Sequence, residues 1–277
     1  MTITLPADIH SHSEYSVDGE YTVKKMCASA QSCGLAVYAV TDHYDVSEYA
    51  SDYADLDASL AKSLRDTLVE KDRYRGEIQI LTGIELGQPL ENRRKAEAVL
   101  RDHAFDFVLG AMHNPPGRPD FYYYDPDNAE YHLDTELENY FLALLSTVRW
   151  GLFDSAAHLT YPFRYILRHH EEYPFSKWDD HLEAIVKALS EKGLAMEINV
   201  SGIRKTPSHV MPEARWVRRF RELGGECLTF GADAHSPQYV GAGIPEAMGI
   251  AVEAGFSHVC YFVEREPRFI PLSAYML

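Results

Sequence analysis

The most constraining feature of this chain is a repeated alternation of short apolar segments with longer amphipathic ones. Continuous apolar runs predict buried strands at 35–40, 78–84, 105–112, 152–157, 194–200 and 227–231, besides a short strand before His10. A last run at 258–263 fits either an eighth strand or the closing edge. Because strands that alternate with helices run parallel, the 277 residues predict an α/β fold. We expect a closed or distorted barrel in a single domain, 1–277.

The segments between the strands carry apolar residues at helical spacing. Val23, Met26, Cys27 and Ala30 predict a helix after Thr22. Further helices are predicted over 51–74 with Leu56, Leu60, Leu64 and Leu68 at steps of four residues, over 91–103, through 137–148, through 182–189, after Pro212 with Trp216, Phe220 and Leu223 buried, and over 240–254.

Composition narrows the class of protein. Apolar residues make up 46% of the chain, enough for a sizeable core, and the net charge of −16 argues against a dedicated nucleic-acid binder. The four cysteines show no C-x-x-C pairing, so we expect free thiols in a reducing cytosol. Neither a signal peptide nor an apolar run of membrane-spanning length is apparent. We expect a cytoplasmic protein without a membrane partner, and the sequence leaves the oligomeric state open.

Two histidines, His10 and His12, stand where the first strand ends. Residues i and i+2 of a strand point to the same face, so both imidazoles are expected to share one space. Ligands of one metal ion are arranged in this way. Two surface histidines are the alternative for an isolated His-x-His pair.

Residues that bind metals recur where later strands end. In a parallel barrel the carboxyl ends of the strands share one mouth, and active sites lie there. The candidate metal ligands are His10, His12, Asp18, His43, Glu85, His113, His158, Asp233 and His235. So many N and O ligands exceed the needs of one ion and suit two or three divalent metal ions, with Glu85 as the best bridging candidate. Without thiolates, the set suits Zn, Mn or Fe.

Neighbouring divalent ions are suited to hydrolysing a phosphate ester, because they activate water and stabilise negative charge on the phosphoryl and leaving oxygens. The catalytic candidates are Glu85, Asp233, His235 and Arg204. A cation outside the metal set should bind the phosphate, and Arg204 is the first candidate because a guanidinium donates two parallel hydrogen bonds. Lys205 and Arg164 follow. Ordinary surface cations are the alternative for all three.

The segment 114–131 is irregular, aromatic and acidic. Such a loop after a strand is either a lid or substrate wall, or a loop packed on the barrel rim. Its candidate acceptors for the organic part of a substrate are Asp120, Asp125, Asp127 and the tyrosines 122–124.

The strand-end residues resemble the polymerase and histidinol phosphatase (PHP) superfamily. The matching segments are 8–12, 41–43, 83–85, the strand ending at His113, His158, and 231–235, in the family's order. Within the superfamily, 16–19 and 197–205 resemble the histidinol-phosphate phosphatases of histidine biosynthesis. The resemblance implies a distorted (β/α)7 barrel with a trinuclear metal site.

The resemblance also implies how the ligands are shared. It suggests His10, His12, Glu85 and Asp233 on one metal, Glu85, His113 and His158 on a second, and Asp18, His43 and His235 on a third. Relatives often have histidine at position 18, although aspartate can also bind a metal. They also have an aspartate where this chain has Thr160, which changes the surroundings of His158 rather than the ligand itself.

The sequence therefore predicts a metal-dependent phosphomonoester hydrolase. The expected reaction converts L-histidinol phosphate and water to L-histidinol and phosphate. Three alternatives stay open. The first is a PHP-type phosphoesterase or exonuclease acting on another phosphate ester or a nucleic-acid end. The second is an amidohydrolase, which the absence of a lysine at a strand end disfavours. The third is a non-catalytic metal-binding or regulatory protein.

Overall fold

The computed structural model describes residues 4–47, 49, 55–129 and 131–275. All pairings in its main sheet are parallel. The sheet consists of β1 (Leu5–Asp8), β2 (Leu35–Val40), β3 (His43–Asp45), β4 (Gln79–Gly87), β5 (Phe107–Ala111), β6 (Ser155–Ala156), β7 (Ala195–Asn199) and β8 (Leu228–Gly231). Because β2 and β3 pair with successive parts of β4, they share one strand position. The predicted distorted (β/α)7 barrel is confirmed.

The first and last barrel strands meet through main-chain and side-chain hydrogen bonds. Ile9 N donates to Phe230 O over 3.0 Å, and Asp233 N donates to His10 O over 2.9 Å. The buried carboxylate of Asp8 accepts from the backbone N–H of Ala232 at 2.9 Å and of Gly241 at 2.8 Å. These bonds close the barrel between residues from opposite ends of the chain.

The helices cover the outside of the barrel. They are α1 (Val23–Ser32), α2 (Leu56–Arg73), α3 (Arg93–Asp102), α4 (Leu133–Trp150), α5 (Phe163–Ile166), α6 (Asp179–Lys192), α7 (Ala214–Glu222) and α8 (Ile244–Glu253). Each predicted helix is found, although 51–54 of the predicted helix 51–74 lie outside the described residues. One prediction was wrong: Leu223, expected to be buried, is only partly buried. In α2, Leu68 is 53% exposed. Steps of four residues advance about 40° beyond a full turn, so a Leu at every fourth position drifts off the buried face.

The inner face of the barrel carries small and apolar side chains at alternate strand positions. They include Ala7, Ile9, Val37, Ala39, Leu81, Phe107, Leu109, Ala111, Ala157 and Ala195. The same cluster contains Cys260 and Phe262, which come from outside the barrel sheet. The barrel interior is therefore a packed core rather than a channel.

The run at 258–263 forms neither an eighth strand of the barrel sheet nor the edge at which that sheet closes. It forms β9 (His258–Val263), which pairs antiparallel with β10 (Glu266–Pro271) in a separate two-stranded sheet. The Phe262 ring stacks on Phe107 with centroids 5.4 Å apart, and Arg265 Nε donates to Asp154 Oδ2 over 2.6 Å. Since Asp154 precedes β6, this C-terminal hairpin closes the end of the barrel opposite the strand C-termini.

The described part of the chain contains all four cysteines. The four cysteines are free thiols there, as expected. None of the helices in this part of the chain has both the length and the apolarity that a membrane span requires.

The loop of the hairpin generates a stability prediction. Glu264 and Arg265 have φ of 53° and 66°, the left-handed pair of a type I′ turn, which favours Asn at the first position. We expect Glu264→Asn to raise the free energy of unfolding by about 0.5 kcal/mol, because it relieves a strained backbone. Denaturant titration measures this. Glu266→Asn, in the adjoining strand, is the control and should give no gain; an equal gain there would contradict the turn argument.

Candidate metal centre

The structure brings all nine predicted metal ligands together at the open end of the barrel. His10 and His12 follow β1, while His113 and His158 lie two residues beyond β5 and β6. The remaining members are His43 at the start of β3, Asp18 in the loop after β1, and Asp233 and His235 after β8. One expectation about placement was wrong: Glu85 lies inside β4, which continues to Gly87. Strand ends estimated from apolar runs are least accurate where the strand carries a buried polar residue.

Glu85 occupies the centre of this group and is completely buried. Its Oε2 atom lies 3.4 Å from His10 Nε2, 3.5 Å from His12 Nε2 and 2.7 Å from His43 Nδ1. Its Oε1 atom lies 2.8 Å from His158 Nε2 and 3.2 Å from His113 Nε2. Each carboxylate oxygen therefore faces a different set of imidazoles, which is the arrangement of a bridging ligand.

Two further carboxylates complete the group. Asp233 Oδ1 lies 3.4 Å from His12 Nε2 and 3.9 Å from His10 Nε2. Asp18 Oδ2 lies 2.9 Å from His235 Nε2, and its Oδ1 lies 3.7 Å from His43 Nε2. Asp18 is the most exposed of these side chains, at 53%. The Asp18 side of the group therefore faces the solvent.

The spacing of these atoms fits metal ions better than hydrogen bonds. Several N–O separations of 3.4–3.5 Å exceed hydrogen-bond length but match the roughly 3.3–3.4 Å between two ligands of one tetrahedral ion. Two buried ligand nitrogens, His10 Nε2 and His12 Nε2, have no hydrogen-bond partner in the described chain. Three triads have ligand atoms within 4.8 Å of one another: His12–His43–His235, His10–His12–Glu85 and His43–Glu85–His113. The donor set thus fits more than one divalent cation.

Electrostatics within the group keep two ligands in metal-binding form. Burial favours the neutral form of Glu85, but His43, His10 and His113 outweigh it and hold the pKa of this carboxyl well below its usual range. Burial and the neighbouring His43 and His235 lower the pKa of His12 to about 4. Glu85 is thus ionised and His12 neutral at pH 7, as metal coordination requires.

Glu197, which was not predicted as a site residue, orients two of the ligands. Its Oε1 is 2.6 Å from His10 Nδ1, and its Oε2 accepts from the backbone N–H of His158 at 2.8 Å. Such a carboxylate fixes the ring so that Nε2 faces the metal. The sequence signal is a single acid inside β7, whose other residues are apolar except for Asn199 at its end.

Asp45 was missed as well. Its Oδ1 lies 3.2 Å from His113 Nδ1, so it holds this ring as Glu197 holds His10. The signal was present, since His43 and Asp45 repeat the i, i+2 spacing of His10 and His12. By contrast, His158 Nδ1 has no hydrogen-bond partner in the described chain.

The predicted anion-binding residues line a cavity of about 700 Å³ together with the metal ligands. Arg204 Nη2 donates to Ala232 O at 2.8 Å, while its buried Nη1 has no hydrogen-bond partner among the described residues. Arg164 Nη1 donates to Ser201 Oγ at 2.8 Å and lies 3.8 Å from Asp233 Oδ2. Lys205 lines the same cavity. All three predicted cations therefore lie beside the ligand group.

The 114–131 loop forms part of the cavity wall, and the structure separates its acidic residues. Asp120, Tyr122 and Tyr123 line the cavity, whereas Asp125 and Asp127 are exposed and do not line it. Asp120 Oδ1 accepts from Tyr161 Oη at 3.0 Å, and burial raises the pKa of its carboxyl. No cationic side chain in the described ranges forms an ion pair with Asp120.

Comparisons with known proteins agree with this geometry. A family model, "PHP domain", matches residues 8–201. A probable histidinol-phosphatase of Clostridium acetobutylicum is 23% identical over 261 residues, covering 92% of this chain and 96% of that protein. The histidinol-phosphatase of Lactococcus lactis is 26% identical over 260 residues, covering 92% and 93%. A crystal structure of the histidinol phosphate phosphatase of Lactococcus lactis, complexed with zinc, L-histidinol and phosphate, is similar to this chain with a TM-score of 0.81. The sequence identity is 24%, and the match covers 95% of this chain and 98% of that one. This similarity shows a shared fold.

Gly231 generates a prediction about metal affinity. A Cβ at Gly231 would lie 2.1 Å from Glu197 Oε1 and 2.6 Å from His10 Cβ. We expect Gly231→Ala to displace Glu197 and weaken zinc binding about 10- to 100-fold, because the carboxylate no longer orients His10. Competition with a chromophoric chelator measures the affinity.

The matched control is Gly249→Ala. A Cβ at Gly249, in α8, has no neighbour within 4 Å. This variant should keep the zinc affinity of the parent protein and unfold at a slightly higher temperature, since alanine favours a helix. Equal zinc affinity in both variants would contradict the role given to Glu197.

Proposed function

The chain belongs to the PHP domain family, and from this premise we propose that it is a metal-dependent phosphomonoester hydrolase acting on L-histidinol phosphate. The observation that carries the proposal is the position of Glu85. One buried carboxylate faces two sets of imidazoles, in a cavity that also holds cationic side chains suited to a phosphate group. The substrate is proposed from the relatives named above, which match this chain over most of its length.

The proposed metal ligands fall into the sets that the family resemblance implies. We propose that His10, His12, Glu85 and Asp233 hold one divalent ion, that Glu85, His113 and His158 hold a second, and that Asp18, His43 and His235 hold a third. Short distances support each set: His10 to Glu85, His158 to Glu85 and His235 to Asp18. Zn, Mn and Fe all suit these donors. The third ion should exchange most readily, because its Asp18 is the most exposed ligand.

The chain's own residues position the ester for attack. When bound, the ions supply an activated water and stabilise charge on the phosphoryl oxygens. Arg204 is held at Ala232 O, so that its free Nη1 is available to a phosphoryl oxygen. Arg164, held at Ser201, is a further substrate contact. The exposed Lys205 adds positive charge to the same cavity. Asp233 lies between the metal ligands and the cationic side chains, because it faces His12 on one side and Arg164 on the other. The proposed catalytic residues are Arg204 and three members of the ligand group, Glu85, Asp233 and His235.

Asp120 is the proposed acceptor for the cationic organic part of the substrate. L-histidinol phosphate carries an ammonium and an imidazole in addition to its phosphate. Among the three predicted aspartates of the loop, only Asp120 lines the cavity, and its burial without an ion-pair partner in the described ranges favours a cationic ligand. Tyr122 and Tyr123 provide ring faces beside it.

Glu85→Gln tests the proposed function. After loading with Zn, Mn or Fe, we expect the parent protein to hydrolyse L-histidinol phosphate in preference to other phosphate monoesters. Glu85→Gln should lose at least about 100-fold in kcat/KM, because the amide cannot bridge two cations. Phosphate release measures both. Asp125→Asn, outside the cavity, is the control and should retain full activity. Turnover of Glu85→Gln at the parent rate would refute the central role of this carboxylate.

Asp120→Asn tests the choice of substrate. We expect kcat/KM for L-histidinol phosphate to fall about 10-fold, because the ammonium loses its counter-charge. For phenyl phosphate, whose organic part is uncharged, kcat/KM should change less than about two-fold. Steady-state kinetics with both esters measures the difference. An equal loss with both esters would assign Asp120 to the architecture of the loop instead of to substrate selection.

A further inference from the structure

The charge of the cavity rim contrasts with the charge of the whole chain. The net charge of −16 opposes the approach of a phosphate dianion. Four cationic side chains nevertheless line the cavity at the ligand group: Arg164, Arg168, Arg204 and Lys205. The carboxylates that line it are Asp18, Asp45, Glu85, Asp120 and Asp233, and all except Asp120 contact the histidines of the ligand group.

The four cations form an inner pair and an outer pair. Arg164 and Arg204 are partly buried and fixed by hydrogen bonds to Ser201 and Ala232. Arg168 and Lys205 are exposed, and in the described part of the chain neither forms an ion pair with a carboxylate. The contact that fixes Arg168 is with the Tyr165 ring, whose centroid is 4.9 Å from the guanidinium carbon. The outer cation pair, Arg168 and Lys205, therefore carries positive charge that the protein does not neutralise locally.

The surroundings of Lys205 are positive overall. Burial is the first cause that lowers the pKa of its amine, and the next three are Arg164, Arg168 and Arg204, while Asp233 makes a smaller opposing contribution. Arg164 and Arg168 likewise contribute to the lowered pKa of the nearby His209. Like charges held close together repel one another, which costs stability. The cavity that holds these cations therefore favours an anionic ligand, which neutralises their charge.

We propose that the outer cation pair is an anion-attracting site that draws the phosphate dianion of the ester to the mouth of the cavity. This inference rests on the proposed function and adds to it a capture step. The inner pair and the bound metals hold the phosphate in the reactive position, whereas Arg168 and Lys205 act through space. Their contribution therefore belongs to kcat/KM and not to kcat, and salt screens it.

The test compares two double variants, each of which removes two positive charges from a different part of the protein. Arg168→Met with Lys205→Met neutralises the outer cation pair. Arg149→Met with Lys192→Met changes the net charge equally, but these exposed residues lie in the last turns of α4 and α6, at the closed end of the barrel. Lys205→Met alone is a second variant that keeps the packing of Arg168 on Tyr165. Each metal-loaded protein is assayed with L-histidinol phosphate at low and high ionic strength.

At low ionic strength we expect kcat/KM of the outer double variant to fall about five-fold, and Lys205→Met alone to lose about two-fold. At about 0.5 M salt both losses should shrink below roughly two-fold. The closed-end variant should match the parent protein at both salt concentrations, and kcat should be unchanged in all of them. Equal losses in the outer and closed-end variants, or a loss in kcat that salt does not reduce, would overturn the proposal.

Calorimetric binding of inorganic phosphate separates this inference from the proposed function. The outer double variant should bind phosphate about five-fold more weakly than the closed-end variant at low salt, whether or not the protein turns over an ester. If the parent protein hydrolyses no phosphate monoester, the proposed function fails while a weakened phosphate affinity still supports the outer site. If hydrolysis is normal and the phosphate affinities of the two variants are equal, the outer site alone fails.

Discussion

The structure depends on a carboxylate that has been removed completely from water. Glu85 lies inside β4 and is surrounded by the rings of His10, His12, His43, His113 and His158. A buried charge of this kind requires compensating positive charge, whether from protonated imidazoles or from cations. Several ligand atoms nearby lack hydrogen-bond partners and stand at the separations of metal ligands, so cations are the better solution. The barrel is therefore organised around a site whose charges the polypeptide does not balance alone.

Much of this arrangement could be predicted because it follows from short-range rules. Alternating apolar runs and amphipathic segments determine a parallel barrel, and the carboxyl ends of parallel strands meet at one mouth. His10, His43, His113 and His158 could be placed in one space from their strand positions, without knowledge of the packing. The helix after Thr22 was also predictable, since the Thr22 side chain accepts a hydrogen bond from Lys25 N as an N-cap does.

The features that escaped prediction depend on contacts between distant parts of the chain. In the sequence, Glu197 is one acid in a largely apolar strand, and its role becomes visible only when β7 and β1 bring it to His10. The run at 258–263 has the composition of a barrel strand, but β10 pairs with it and Phe262 fills the closed end of the barrel. Asp120 could be distinguished from Asp125 as the residue that lines the cavity only from the path of the loop in the folded chain. Composition and spacing do not reveal the contacts between distant residues on which these three points depend.

The closure of the barrel has a consequence for synthesis on the ribosome. The carboxylate of Asp8 receives the N–H of Ala232, 224 residues later, and Asp233 joins His12 only through the same closure. A nascent chain therefore exposes His10 and His12 long before their partner carboxylate has been translated. Contacts so far apart in sequence form slowly, so the first histidines emerge into the cell as an incomplete chelator. A cation captured at that stage would have fewer ligands than the closed barrel offers.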